Sequence, residues 1–264
     1  MNTTQKNASL PRLAAGALLA IGGVIGTVLT RPDATVKDAP TSATFPFALC
    51  LVATLLGVVC LISGLRMLMS KIGTKPTDVR KLAIASLFAA LCYIGFTFLK
   101  IDIPVGTEKT AFHLGNVFCV LAALLLGGFW GGMAGAVGMT IADLTTAYVT
   151  SAPKTFLLKL CIGLIVGLVA HKLFHIEENQ QPKKLLPAVV LSCTAGMAFN
   201  VVADTVVGYF YKTYVLGVPQ EAAKIWAKIG AVTTLVNAII AVVAASVLYL
   251  ALRPALMRSG FLKQ

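Results

Sequence analysis

Long apolar stretches at roughly residues 13–30, 45–69, 82–99, 111–127, 130–149, 155–173, 186–210 and 228–252 alternate with short polar breaks along this chain. A helix rises 1.5 Å per residue, so about 20 apolar residues cross a hydrocarbon layer of about 30 Å. In lipid every backbone polar group must be bonded within its own helix or within a closed sheet. Stretches such as Leu121-Ala122-Ala123-Leu124-Leu125-Leu126 are apolar on every face, which excludes the alternating signature of a membrane barrel. The pattern predicts an all-α integral membrane protein.

The polar break from Ser70 to Lys81 divides the chain. It sets a two-helix N-terminal membrane extension, residues 1–75, before a six-helix domain, residues 76–264. The first run, with its basic start and Gly22, Gly23 and Gly26, has the outline of a secretory leader. Thr30-Arg31-Pro32 follows it where a small-residue cleavage site would stand, so a retained anchor helix is expected. Lysine and arginine are denser in the breaks that hold Lys71, Lys75, Arg80, Lys81, Lys183, Lys184, Arg253 and Arg258. Placing those breaks inside predicts a multi-pass protein of the plasma membrane with both termini cytoplasmic.

Composition removes other classes. Charged residues are 12% of the chain and hydrophobic ones 58%, against roughly 25% charged in a soluble domain. The net charge of +12 is scattered among breaks without a continuous stripe or interleaved aromatics, so it speaks for topology and against nucleic acid. Cys50, Cys60, Cys92, Cys119, Cys161 and Cys193 lie inside apolar runs and read as small core residues. Gly127-Gly128-Phe129-Trp130-Gly131-Gly132 lacks the Gly-Lys-Ser/Thr ending of a phosphate loop and is expected to be a tight helical turn. Small residues four apart, at Ala85 and Ala89, Gly131 and Gly135, and Gly163 and Gly167, permit close helix contact; ordinary packing within the chain explains each pair taken alone.

The informative residues are polar ones at membrane depth. An Asp or Lys at a helix centre costs about 2.5–3.5 kcal/mol on insertion scales, so Asp143, Lys159 and Asp204 should face protein, water or a ligand. His113 and Asn116, three apart, are expected on one face at the start of their helix; Asn200 and Asp204 are four apart on another. With Tyr148 above Asp143, and Asn237 two turns inside Lys228, the deep polar groups fall in the outer half of the bundle. The inner halves are almost wholly apolar. A proton or ion relay would show polar steps on both sides of the midplane. A cup open to one face would not, and the pattern predicts a pocket in which these residues orient a small polar solute. Blander roles stand beside this one: an Asp143–Lys159 structural ion pair, an interfacial His113, and Asn200 and Asn237 as interhelical glue. The histidines give no HExxH and no nucleophile triad occupies one depth, so no catalytic group and no cofactor is expected. His171 and His175, in a solvated break with Glu177 and Glu178, make a weak metal pair, and no metal site is assigned.

Residues about 78–252 resemble the substrate-binding S components of energy-coupling factor (ECF) vitamin transporters, in the group that includes riboflavin, pyridoxine and hydroxymethylpyrimidine uptake proteins. The resemblance is carried by Lys81 to Ala90, His113-Leu114-Gly115-Asn116, Leu124 to Gly132, Ile141-Ala142-Asp143-Leu144 and Ala152 to Lys159. It implies a six-helix S component that captures a vitamin-like molecule outside. It also implies docking through an Ala-xxx-Ala face, here Ala85 and Ala89, onto a transmembrane coupling subunit driven by two ATPase subunits. The front pair of helices is additional to that core, and the family often has an acidic residue where Asn116 stands.

The mixture of Asp143, Asp204, Lys159 and amides suits a heteroaromatic ring bearing hydroxyl or amine groups, such as pyridoxine or a hydroxymethylpyrimidine. Riboflavin's larger ring calls for more aromatic surface than Tyr148, Tyr209 and Tyr211 offer. The alternative function is a self-contained proton-coupled carrier switched by Asp143 and Lys159.

Overall fold

The computed structural model describes residues 79–259 apart from 107 and 178–181, together with Ala15, Leu18, Leu19 and Leu49. The expected two-helix extension over residues 1–75 lies outside the described stretch. The described chain runs α1 (Val79–Thr97), β1 (Lys100–Val105), β2 (Glu108–His113), α2 (Gly115–Leu126), α3 (Gly128–Leu144), α4 (Ala152–Gly167), α5 (Pro182–Phe210) and α6 (Gln220–Arg258). π-helical turns over Leu168–Leu173 and Tyr211–Val215 extend α4 and α5. The spans Arg80–Thr97, Val149–Leu173, Lys183–Val215 and Gln220–Arg258 are long and apolar enough to cross a membrane. The protein is an α-helical, multi-pass membrane protein.

One expectation is corrected here. The run read as a helix from residue 111 breaks at Leu114, and Lys100–Val105 pairs antiparallel with Glu108–His113, Lys100 opposite His113 and Val105 opposite Glu108. His113 therefore ends a strand and does not share a helical face with Asn116. Lys100-Ile101-Asp102-Ile103 alternates polar and apolar residues with period two, as a strand does. Gly106 takes φ +63° at the turn, a conformation that costs glycine little. Pro104 is tolerated because β1 is an edge strand of a two-stranded sheet. The hairpin leaves α2 only 12 residues, about 18 Å at 1.5 Å per residue.

Helix α3 sits among α1, α2 and α4, and glycine sets how close they come. A Cβ built on Gly163 would lie 2.2 Å from the Gly132 Cα, and one on Gly167 2.2 Å from the Gly128 Cα. On another face of α3, a Cβ on Gly131 would strike the Ala123 backbone, and one on Gly135 the Cys119 side chain. Lipid tails are as apolar as leucine, so in a bilayer helices gain from such backbone-level contact what hydrophobic burial would give in water. The main core joins Phe88, Cys92, Val120, Leu124, Met139, Ile162, Val189, Met197 and Tyr249 across the bundle.

The end of the bundle away from the hairpin is closed by polar ties to backbone. The buried Arg253 guanidinium donates to the carbonyls of Ile176 and Glu177 at 3.2 and 3.4 Å. The His171 ring lies with Nε2 3.1 Å from the Ala123 carbonyl and Nδ1 3.1 Å from a Glu177 oxygen. That contact holds the Glu177 carboxyl below its ordinary range. The His171 ring is thus tied to backbone through Nε2, while His175 is exposed.

Candidate solute-binding site

At the hairpin end the helices part around an open cleft enclosing about 1040 Å³ of atom-free space, its mouth included. His113, Asn116, Asp143, Tyr148, Lys159, Asn200, Asp204 and Asn237 all line it. Asn116, Asp143, Lys159, Asn200 and Asn237 are between 1% and 8% exposed, so the deep wall is polar yet shielded. Met139 lines the same cleft and belongs to the core below it.

The polar groups divide by what they touch. Asp204 is fully engaged: Lys154 Nζ donates to Oδ1 at 2.7 Å and Thr234 Oγ1 to Oδ2 at 2.9 Å. Asn237 is engaged at both ends of its amide, since Oδ1 accepts the His113 backbone N–H at 3.0 Å and Nδ2 donates to the Ala111 carbonyl at 2.9 Å. It pins strand β2 to α6. On the other strand, Tyr148 Oη donates to Asp102 Oδ1 at 2.8 Å, and Lys100 lies 3.1 Å from the same oxygen. Burial alone would raise the Asp102 carboxyl, but the bonds from Tyr148 and Lys100 outweigh it and hold it below its ordinary value.

Other groups face the cleft with capacity to spare. Asn116 Oδ1, Asp143 Oδ2 and His113 Nδ1 are buried without a hydrogen-bond partner among the described residues. The hydrogen bond that Lys159 Nζ makes among the described residues is to Asn200 Oδ1, at 3.4 Å. Asp143 and Lys159, read as a possible ion pair, are not bonded to each other; among the described residues lining the cleft the ion pair is the partly buried Lys154–Asp204. A buried polar atom without a partner costs roughly 1–3 kcal/mol, and three such atoms face this one cleft.

Among known proteins, the family model described as "ECF-type riboflavin transporter, S component" matches residues 77–254, about two-thirds of the chain. The chain belongs to this family. As an S component it is the substrate-binding subunit of an ECF transporter and not an enzyme. Such subunits bind a small molecule and work with a membrane coupling subunit and ATPases. No curated protein and no solved structure matched it.

Two features of this S component depart from the sequence reading. Phe96 and Trp226 also line the cleft, and the Lys212 ammonium lies 4.4 Å from the centre of the Trp226 ring. Of the three tyrosines weighed from sequence, Tyr148 lines the cleft and Tyr209 and Tyr211 do not, so the aromatic wall is Phe96, Tyr148 and Trp226. Lys154, assigned from sequence to a polar break, belongs to the site as the partner of Asp204. Its position in the first turn of α4, behind Pro153, was the available signal.

Ala85 and Ala89, assigned to partner docking from the resemblance, both turn toward the bundle. Ala85 is 6% exposed and packs with Phe88, Cys92 and Phe96, which recur at helical spacing on the core face of α1. The Ala89 carbonyl lies where a Cβ on Gly138 would be, so Ala89 faces α3. The exposed small residues of α1 are Ala83, Ser86 and Ala90.

Proposed function

We propose that this S component captures a small water-soluble heteroaromatic vitamin or vitamin precursor in the cleft at the hairpin end, and that partner ATPases supply the energy for its import. One observation carries the reading: buried atoms of His113, Asn116 and Asp143 without a hydrogen-bond partner among the described residues, and the buried Lys159–Asn200 pair, converge on a single cleft with apolar core beneath it. Pyridoxine and hydroxymethylpyrimidine suit the polar deep wall; Phe96, Tyr148 and Trp226 add aromatic surface that suits the larger ring of riboflavin as well.

The cleft is assigned to the extracellular side and the Arg253 end to the cytoplasm, in accord with the basic residues near that end. The coupling subunit is assigned to the exposed Ala83, Ser86 and Ala90 side of α1, where small residues permit close approach of a second helix. Mass spectrometry of the small molecules released from the purified, gently washed chain tests the proposal. A heteroaromatic compound near one equivalent is expected. Recovery of a bound lipid or nothing from protein that also fails to bind added riboflavin, pyridoxine or hydroxymethylpyrimidine would remove its basis.

A further inference from the structure

The charges lining the cleft do not balance. Lys109, Lys154, Lys159 and Lys212 face Asp143 and Asp204, and no arginine or glutamate joins them. Counting lysines as cations and aspartates as anions, the lining carries two more positive groups than negative ones. Lys154 is committed to Asp204, whose second oxygen is held by Thr234. Lys159, 8% exposed, has no carboxylate within ion-pair distance among the described residues and touches only the amide oxygen of Asn200. A shielded ammonium without a counter-charge is unfavourable unless something supplies one.

A second feature points the same way. The first turn of α4, which brings Ser151, Lys154 and Thr155 to the cleft, has no side-chain cap on its N-terminal N–H groups. The Ala152 N–H is bonded to the Val149 carbonyl and Pro153 has none, so what this turn offers an anion is the positive end of the helix dipole. Asn116 Oδ1 and Asp143 Oδ2, both buried and unpartnered, need donors instead. A ring that bears an oxyanion on one side and N–H or O–H groups on another satisfies both sets at once. A neutral solute leaves the ammonium uncompensated, and a cation adds to the surplus.

Building on the reading of the cleft as a vitamin site, we propose that its solute is anionic, carrying a carboxylate or phosphate seated on Lys159, with ring donors directed at Asn116 and Asp143. The test is calorimetric titration of the full purified chain with matched neutral and charged probes: riboflavin against riboflavin 5′-phosphate, pyridoxine against pyridoxine 5′-phosphate, and nicotinamide against nicotinate. In at least one pair the charged member is expected to bind at least tenfold tighter, with an affinity that falls as salt is raised. Preference in the phosphate pairs or in the carboxylate pair identifies the oxyanion. Lys159→Met should erase the preference, and Lys159→Arg, which keeps the charge if the methionine variant folds poorly, should retain it. Neutral members binding as tightly as charged ones, or a preference that survives Lys159→Met, would overturn the charge assignment and leave vitamin capture standing. Failure of every probe to bind folded chain would overturn both.

Discussion

Lys159 and Asn237 carry the same label from sequence, polar residues at membrane depth, and do opposite things. Asn237 spends its whole amide on the backbone of β2, so its effect on binding is through the hairpin. Asn237→Ala is expected to leave the His113 N–H and the Ala111 carbonyl without partners, at about 1–3 kcal/mol. Hydrogen exchange over residues 100–113 should accelerate while the helices keep their protection; unchanged exchange would assign the hairpin's stability elsewhere. Lys159 and Asp143 retain free capacity, and Asp143→Asn or Lys159→Met should weaken solute binding tenfold or more, about 1.4 kcal/mol, with near-normal folded yield. Unchanged affinity in both would make them structural. Asp102 gives a pH dependence of known sign. Its carboxyl is held below the ordinary value in the folded protein, so its contribution to hairpin attachment is present above the unfolded-state value and is lost as pH falls through the folded one. Hairpin protection, taken as the intrinsic exchange rate divided by the observed rate at each pH, should thus be indifferent to pH near neutrality and fall only in acid, with Tyr148→Phe moving the fall to higher pH.

At the scale of elements, glycine spacing was legible in the sequence and its use was not. Gly131 with Gly135 and Gly163 with Gly167 were visible as pairs, but which helix each meets depends on how the six helices pack. Gly163→Ala puts a methyl against backbone on α3, with no flexible side chain to give way. The thermal midpoint of the detergent-solubilised chain should fall by several degrees, whereas Gly230→Ala, with nothing within 4 Å, should leave it unchanged. Equal effects at both positions would mean helix propensity and not close packing decides. The hairpin was the element sequence reading lost. Its period-two alternation over Lys100 to Val105 was readable, yet the polar residues between two apolar runs looked like a simple break. The same confusion placed His113 on a helix. For α1, small-residue spacing alone could not tell Ala85 and Ala89 from Ser86 and Ala90; the bulky Phe88 and Phe96, which claim the core face, decide it. A tryptophan at Ala90 should abolish association with a coupling subunit and leave solute affinity unaltered.

For the molecule as a whole, the helical class and the position of the polar residues followed from hydropathy, because lipid punishes misplacement of charge severely. The eight polar residues singled out in the sequence line one cleft, whereas Lys154, Phe96 and Trp226 joined it only through tertiary packing. The opposite end is tied shut by Arg253 and His171 to backbone carbonyls. Among the described residues, a cup at one end and a closed floor can hold a solute but offer no evident path to pass it on alone. The decisive measurement is uptake of radiolabelled solute, chosen from those the purified chain binds, into proteoliposomes holding this chain only. Saturable binding near one molecule per chain, with no accumulation in the lumen under either a proton gradient or internal ATP, is the predicted result. Accumulation driven by the gradient in the absence of any partner subunit would contradict it.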